Sequence, residues 1–321
     1  MSRKLHRLQS IAILIFISIL ANSCGHSNNK KAVKKQESQN TETFKAPEIP
    51  SFLKTPELKA DYLVEHYWDN FNFRDTTLVN KPKITEQAFA DFIHIILQVP
   101  PKTADKGIRF LMDKAEASSK MYQCFLNLSE KYLYDPNSPF RNETLYESFL
   151  KAALTTKALD DAYKIRPKKQ YDLAQKNKLG HKATDFKFTL RNGSSSRLYA
   201  VTADLLLLYF FNPECTDCKT VREKIMGSVT LQDLIARNKL IILALYPDKD
   251  LTAWKKHYTE LPDKWINAYD KGTVVKHREL YDLKAIPTLY LLDKEKRVLL
   301  KDARFEEVEN YLNSSRSVQG L

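Results

Sequence analysis

The sequence predicts two fold classes in one chain, an all-α half followed by an α/β domain. From Thr55 to about Lys178 apolar residues recur at three- and four-residue spacings, whereas from Ala183 short apolar runs alternate with helix-competent segments. A third observation locates the chemistry. In the stretch Leu205 to Lys219, LLLLYFFNPECTDCK, an unbroken apolar run ends at Asn212-Pro213 and leads into Cys215 and Cys218. With 321 residues, 43% of them hydrophobic, the chain exceeds one ordinary domain and can fill sizeable cores.

The N-terminus reads as a targeting segment. Arg3, Lys4 and Arg7 make a basic start, and Ile11 to Ala21 an apolar run shorter than the about 20 residues a bilayer requires, which together suit a secretory signal. Ala21, Asn22, Ser23 and Cys24 then resemble a bacterial lipobox, in which the cysteine is lipidated and becomes the mature N-terminus, although Ala21 stands where Leu is usual. Ordinary cleavage after Ser23, leaving a soluble protein, is the alternative. Gly25 to about Pro50 is rich in Asn, Lys, Gln, Ser and Thr and is expected to act as a flexible tether. Export places the chain where disulfides form and a cysteine pair can cycle.

The helical half is expected over residues 51–180. Leu58, Tyr62, Leu63, His66, Tyr67 and Phe71 mark a first helix opened by Pro56. Phe89, Phe92, Ile93, Ile96 and Leu97 mark a second, which Pro100 and Pro101 end. Residues 103–134 hold one or two more, Glu143 to Thr155 another, and Leu159 to Ala174 a last one, kinked near Pro167. Met121, Cys124, Phe125 and Leu128 share a face, which makes Cys124 a small buried hydrophobe. His66, Trp68 and His94 sit at spacings that suit core or boundary positions better than a site.

In the α/β domain, residues 183–321, Asp185 to Leu190 alternate apolar with polar, Asn192-Gly193 turns the chain, and Arg197 to Ala200 returns. Leu205 to Phe211, apolar throughout, suits a strand buried on both faces. Asn212, Pro213 and Glu214 break it, and a helix-competent segment follows Cys218 until Gly227. A strand feeding a helix puts Cys215 at the helix N-terminus, where free N–H groups and the dipole favour a thiolate. Further strands are expected at Leu240 to Tyr246, Trp265 to Tyr269, Leu289 to Leu292 and Val298 to Lys301. Helices are expected around Trp254 and Tyr258, from Val274 to Leu283 and from Phe305 to Leu312. The net charge of +12 is spread, with no basic face interleaved with aromatics, which disfavours nucleic acid as a partner.

A β-hairpin, a βαβ unit, Ile286-Pro287-Thr288 opening an antiparallel hairpin and a closing helix resemble the thioredoxin fold. The TDFKFTLRNG stretch and the long spacing from Cys215 to Pro287 are similar to the TlpA/ResA branch of thiol-disulfide oxidoreductases. The whole chain resembles Bacteroidetes-type lipoproteins that join a helical domain of unassigned function to such a module. The resemblance implies an envelope enzyme acting on protein disulfides, with Cys215 as attacking thiolate and Cys218 as resolving thiol. It implies a cis Pro287 facing the pair, and substrate pairing along Ile286 with Thr288 beside it. No cofactor beyond the Cys215–Cys218 pair is implied. The implied partners are protein thiols or disulfides, an upstream membrane or thioredoxin-type electron donor, and the membrane through a lipid on Cys24.

Departures from the thioredoxin pattern are specific. Glu214 replaces the Trp before the first cysteine, Thr216-Asp217 replaces Gly-Pro between the two, Tyr209 stands where a buried Asp is usual, and Val221 where ResA-like proteins carry Glu. Asp217 or Glu223 could substitute as proton acceptor. Glu214 and Asp217 set negative charge beside the pair, so a rather reducing couple is expected, each 30 mV being worth about 1.4 kcal/mol. Three other uses of the cysteines fit less well. A static disulfide ignores the helix N-terminus, zinc lacks paired ligands at His181, His257 and His277, and a peroxidase lacks its Pro and Thr before the cysteine. The competing class is a binding or assembly lipoprotein in which the helical half acts and the α/β fold is a scaffold.

Overall fold

The computed structural model describes residues 43–319, so the expected signal, Cys24 and most of the tether lie outside the described residues. Two compact units divide between Pro167 and Lys168. Among the described residues no helix is long and apolar enough to cross a membrane.

The first unit holds α1 (Pro56–His66), α2 (Thr85–Ile96), α3 (Pro101–Ala115), α4 (Ser119–Ser129) and α5 (Glu143–Thr155), and α6 (Asp161–Ala174) runs through the division with Pro167 inside it. Side chains close the N-terminal turns: Thr55, Ser118 and Asn142 accept from the N–H groups of Leu58, Met121 and Leu145. Pro101, expected only to end α2, occupies the first position of α3, where its missing N–H goes unneeded. The first helix is shorter than its apolar spacing predicts. It stops at His66, because Tyr67, Trp68 and Phe71 turn into an aromatic cluster in which Trp68 meets Phe71, Phe92 and Phe125 at 5.5, 5.4 and 5.1 Å between ring centroids. Leu58 is consequently exposed and Val64 is the buried residue of α1. Gly107 lets α1 and α3 approach closely, since a Cβ there would stand 2.4 Å from the Val64 Cγ1. Met121, Phe125 and Leu128 are buried as their spacing predicts, while Cys124 is half-buried.

The second unit is built on one seven-stranded sheet: β1 (Lys187–Leu190), β2 (Ser195–Arg197), β3 (Leu205–Phe210), β4 (Leu240–Tyr246), β5 (Ile266–Tyr269), β6 (Thr288–Asp293) and β7 (Val298–Ala303). Their order across the sheet is β2-β1-β5-β4-β3-β6-β7. Every residue of β3 is buried, as an unbroken apolar run between a parallel β4 and an antiparallel β6 requires. Its side chains alternate between two cores. Leu205, Leu207 and Tyr209 join one with Ile225, Leu234 and Val308, and Leu206, Leu208 and Phe210 join the other with Phe186, Phe188 and Tyr281.

The helices here are α7 (Thr216–Gly227), α8 (Val229–Ala236), α9 (Leu251–His257), α10 (Val274–His277) and α11 (Phe305–Gln319). Four differ from the sequence expectation. The α8 helix is not among those the sequence predicts; Ser228 caps it by accepting from the Leu231 N–H. The helix expected over residues 274–283 is a single turn, because Glu279 takes a left-handed conformation (φ 49°) and Leu280 N–H bonds back to the Val275 carbonyl. The α11 helix runs beyond Leu312. The α9 helix ends at His257, with Tyr258 in a 3-10 turn. The return strand of the first hairpin also lies earlier than the sequence predicts, at Ser195–Arg197, and Leu198–Ala200 is a 3-10 turn. Residues 168–182 belong with the sheet: Asn177 Nδ2 donates to the Leu280 carbonyl at 2.8 Å and Gly180 N–H to that of Val298 at 2.8 Å.

Candidate functional site

The site forms where the chain leaves the C-terminal end of β3. Asn212 shapes the exit: its side-chain oxygen accepts from the Glu214 N–H at 2.9 Å, its carbonyl from the Cys215 N–H at 3.1 Å, and its own N–H points to the Cys218 sulfur at 3.4 Å. An Asx-type turn ahead of Pro213 is the signal that could have singled out Asn212. Cys215 is the N-cap residue of α7, and the Cys218 N–H donates to its sulfur at 3.4 Å. A backbone donor and the positive end of a twelve-residue helix therefore meet at this atom.

The two thiols are free and differ in setting: Cys215 is half-buried and Cys218 is buried. Burial pushes the Cys218 thiol well up; the Asn212 N–H opposes this, while a hydrogen bond to Cys215 and the charge of Asp217 add to it. Behind the pair, the Tyr209 hydroxyl donates to the Cys218 carbonyl at 2.6 Å, and burial first, then the neighbouring thiols, hold this phenol neutral far above its ordinary range. Tyr209 thus ties the start of α7 to the centre of the sheet.

Opposite stands the loop before β6. The Ile286-Pro287 peptide is cis, and the Cys215 thiol donates to the Ile286 carbonyl at 3.6 Å. Thr288, buried as the first residue of β6, turns its hydroxyl to the Ala285 carbonyl. The fold therefore brings Cys215, Cys218, Ile286, Pro287 and Thr288 together. Glu214, Thr216 and Asp217 are exposed on the same turn, and Glu223 is exposed further along α7. Arg222, on α7, pairs with Glu260 at 2.8 Å, and His257 bonds the same carboxylate at 2.5 Å.

The remaining candidates are separate. Among the described residues no group of three or more His, Cys, Asp or Glu could hold a metal ion. His66 bonds Asp69, and the His94 ring meets Phe140 edge-on. Burial, then the charge of Glu86, raises the Cys124 thiol above its ordinary value. A cavity of about 760 Å³ is lined by residues that include Phe188, Arg191, Ile241, Tyr258 and Trp265.

Comparison with known proteins classifies both halves. Residues 23–177 match a domain of unknown function, DUF5106, and residues 203–298 match a thioredoxin-like family. A thioredoxin-like protein from Bacteroides caccae is 47% identical over 85% of this chain and 99% of its own, with a TM-score of 0.81. The C-terminal domain of an uncharacterized protein from Bacteroides fragilis is 47% identical over 43% of this chain and 98% of its own, TM-score 0.42. A conserved Bacteroides fragilis protein of unknown function is 33% identical over 42% and 98%, TM-score 0.41. No curated protein matches the chain. The chain belongs to the family of the Bacteroides caccae protein, with a thioredoxin-like α/β domain preceded by a DUF5106 helical domain.

Proposed function

We propose that the protein is a thiol-disulfide oxidoreductase that reduces protein disulfides through Cys215 and Cys218. One observation carries this reading: a cysteine capping a helix, with a backbone N–H on its sulfur, stands opposite the Ile286 carbonyl while its partner cysteine is buried behind it. A static disulfide needs none of this asymmetry.

In the reaction the Cys215 thiolate attacks one sulfur of a substrate disulfide. A Cys215–substrate disulfide forms, the substrate S–S bond breaks, and the first substrate sulfur leaves as thiolate. Cys218 then attacks the Cys215 sulfur and its proton goes to the departing second substrate sulfur. The products are a reduced substrate dithiol, once the first thiolate is protonated, and a Cys215–Cys218 disulfide. Two electrons pass from enzyme to substrate, and an external thiol donor must return them. Pairing of an extended substrate segment along Ile286, with Thr288 beside it and Pro287 facing the sulfurs, would hold the substrate.

The reducing direction rests on charge: Glu214 and Asp217 flank the cysteines, and Asp217 acts against a Cys218 thiolate. The envelope setting, with an anchor at Cys24, rests on the sequence of residues 3–24 alone. Equilibration with glutathione buffers tests the direction. A potential near that of thioredoxin, about −270 mV, is expected, and one near −120 mV overturns the reductant reading. Trapping with a Cys218→Ser variant, followed by mass spectrometry, tests the class. Mixed disulfides through Cys215 support it, whereas no trapped protein together with no insulin reduction by the unaltered chain favours a scaffold.

A further inference from the structure

Three residues outside the cysteine motifs form a buried charge cluster next to the Ile286 loop. The Lys284 ammonium lies 2.6 Å from Asp302 and 3.1 Å from Asp282, and the three side chains are only 12%, 15% and 4% exposed. Lys284 precedes Ile286 by two residues, while Asp302 lies in β7, beside the Ala303 that pairs with Leu289. The ion pair therefore staples the loop to the neighbouring strand. Asp302 holds its carboxylate there from a left-handed backbone (φ 48°), a conformation non-glycine residues rarely take inside a strand, and the β6–β7 register shifts nearby, between Leu289 and Leu291. Strain, a bulge and a buried ion pair thus converge on one short loop. Its other side is already fastened, since Lys176 and Asn177 donate to the Glu279 and Leu280 carbonyls and the Tyr281 hydroxyl to that of Thr184.

We propose that Lys284 is a positioning residue for substrate docking: clamped between Asp282 and Asp302, it fixes the loop so that the Ile286 backbone stands ready opposite Cys215 for an extended segment of a disulfide-bearing protein. The inference rests on the redox reading above. A preset backbone edge matters to a protein substrate, which must lie along it, and not to a small disulfide that only has to reach the sulfur. The effect of changing Lys284 should therefore separate by substrate size.

The test compares insulin with oxidised glutathione as substrates for the full chain and two variants, Lys284→Met and the milder Asp302→Asn, each first checked for cooperative unfolding. Both variants are expected to raise KM for insulin about tenfold, with kcat and the rate of glutathione disulfide reduction within about twofold of the unaltered chain. Unchanged KM in a folded variant overturns the proposal, as does an equal fall in both rates, which would make the cluster a support for the cysteines. If the unaltered chain reduces neither substrate, the redox reading falls and takes this inference with it; if it reduces both and the variants match it, the inference alone falls.

Discussion

The helical unit and the α/β unit spend their polar groups differently. In the helical unit they serve as caps and surface pairs: Thr55, Ser118 and Asn142 close helix starts, and Lys131 pairs with Glu86 around an interior of interlocking aromatic rings. The α/β unit has caps and surface pairs of its own, such as Ser228 on α8 and Lys239 with Asp204, and adds polar contacts at one end of the sheet, where the Asn212 N–H and the Tyr209 hydroxyl bond Cys218 behind a half-buried thiol. The packing of the helical unit and the proposed chemistry of the α/β unit thus rest on separate residues, and substitutions should divide along the same line.

The largest effect expected is on activity. Cys215→Ser should lower protein-disulfide reduction by about three orders of magnitude or more while thermal unfolding is little changed; an insulin assay beside a melting curve reads both. In the helical unit Phe125→Ala, which empties the middle of the aromatic cluster, should cost about 3–5 kcal/mol in denaturant unfolding of that unit. Its reduced cysteines should still react with glutathione disulfide at the unaltered rate, and a parallel loss would break the comparison.

A pH series sharpens it. Burial leads in raising the Cys218 thiol in the folded state, and an unfolded thiol titrates near about 8.5, so the neutral thiol favours folding below that pH and the contribution fades above it. Stability should therefore fall from about pH 8.5 upward by as much as about 1.4 kcal/mol per pH unit, and Cys218→Ala should flatten that slope. Equal slopes would show that Cys218 does not govern the alkaline limb. The smallest effect is Tyr209→Phe, which removes the bond to the Cys218 carbonyl and should cost about 1 kcal/mol in urea unfolding.

Much of this was legible because the signals are local. Seven apolar residues in a row announce β3, Asn-Gly announces the first hairpin turn, and Glu143 to Thr155 shows its helix at full length. Where a tertiary partner decides, the local pattern misleads. The spacing of Tyr67 and Phe71 looks helical, yet packing around Trp68 ends α1 at His66, and the left-handed Glu279 cuts α10 to one turn. Lys284 is invisible to the sequence for the same reason: a Lys in a charged loop gains meaning only from the carboxylates that the fold brings to it.

By itself the sequence determined that two cysteines follow a buried strand at a helix start, and that Ile286-Pro287-Thr288 opens a later strand, because strand, turn and helix starts are written in neighbouring residues. Only the tertiary structure decided that these distant segments meet, with the Cys215 thiol 3.6 Å from the Ile286 carbonyl. It also decided that the two thiols differ in burial, since sheet order and side-chain packing depend on residues far apart in the chain.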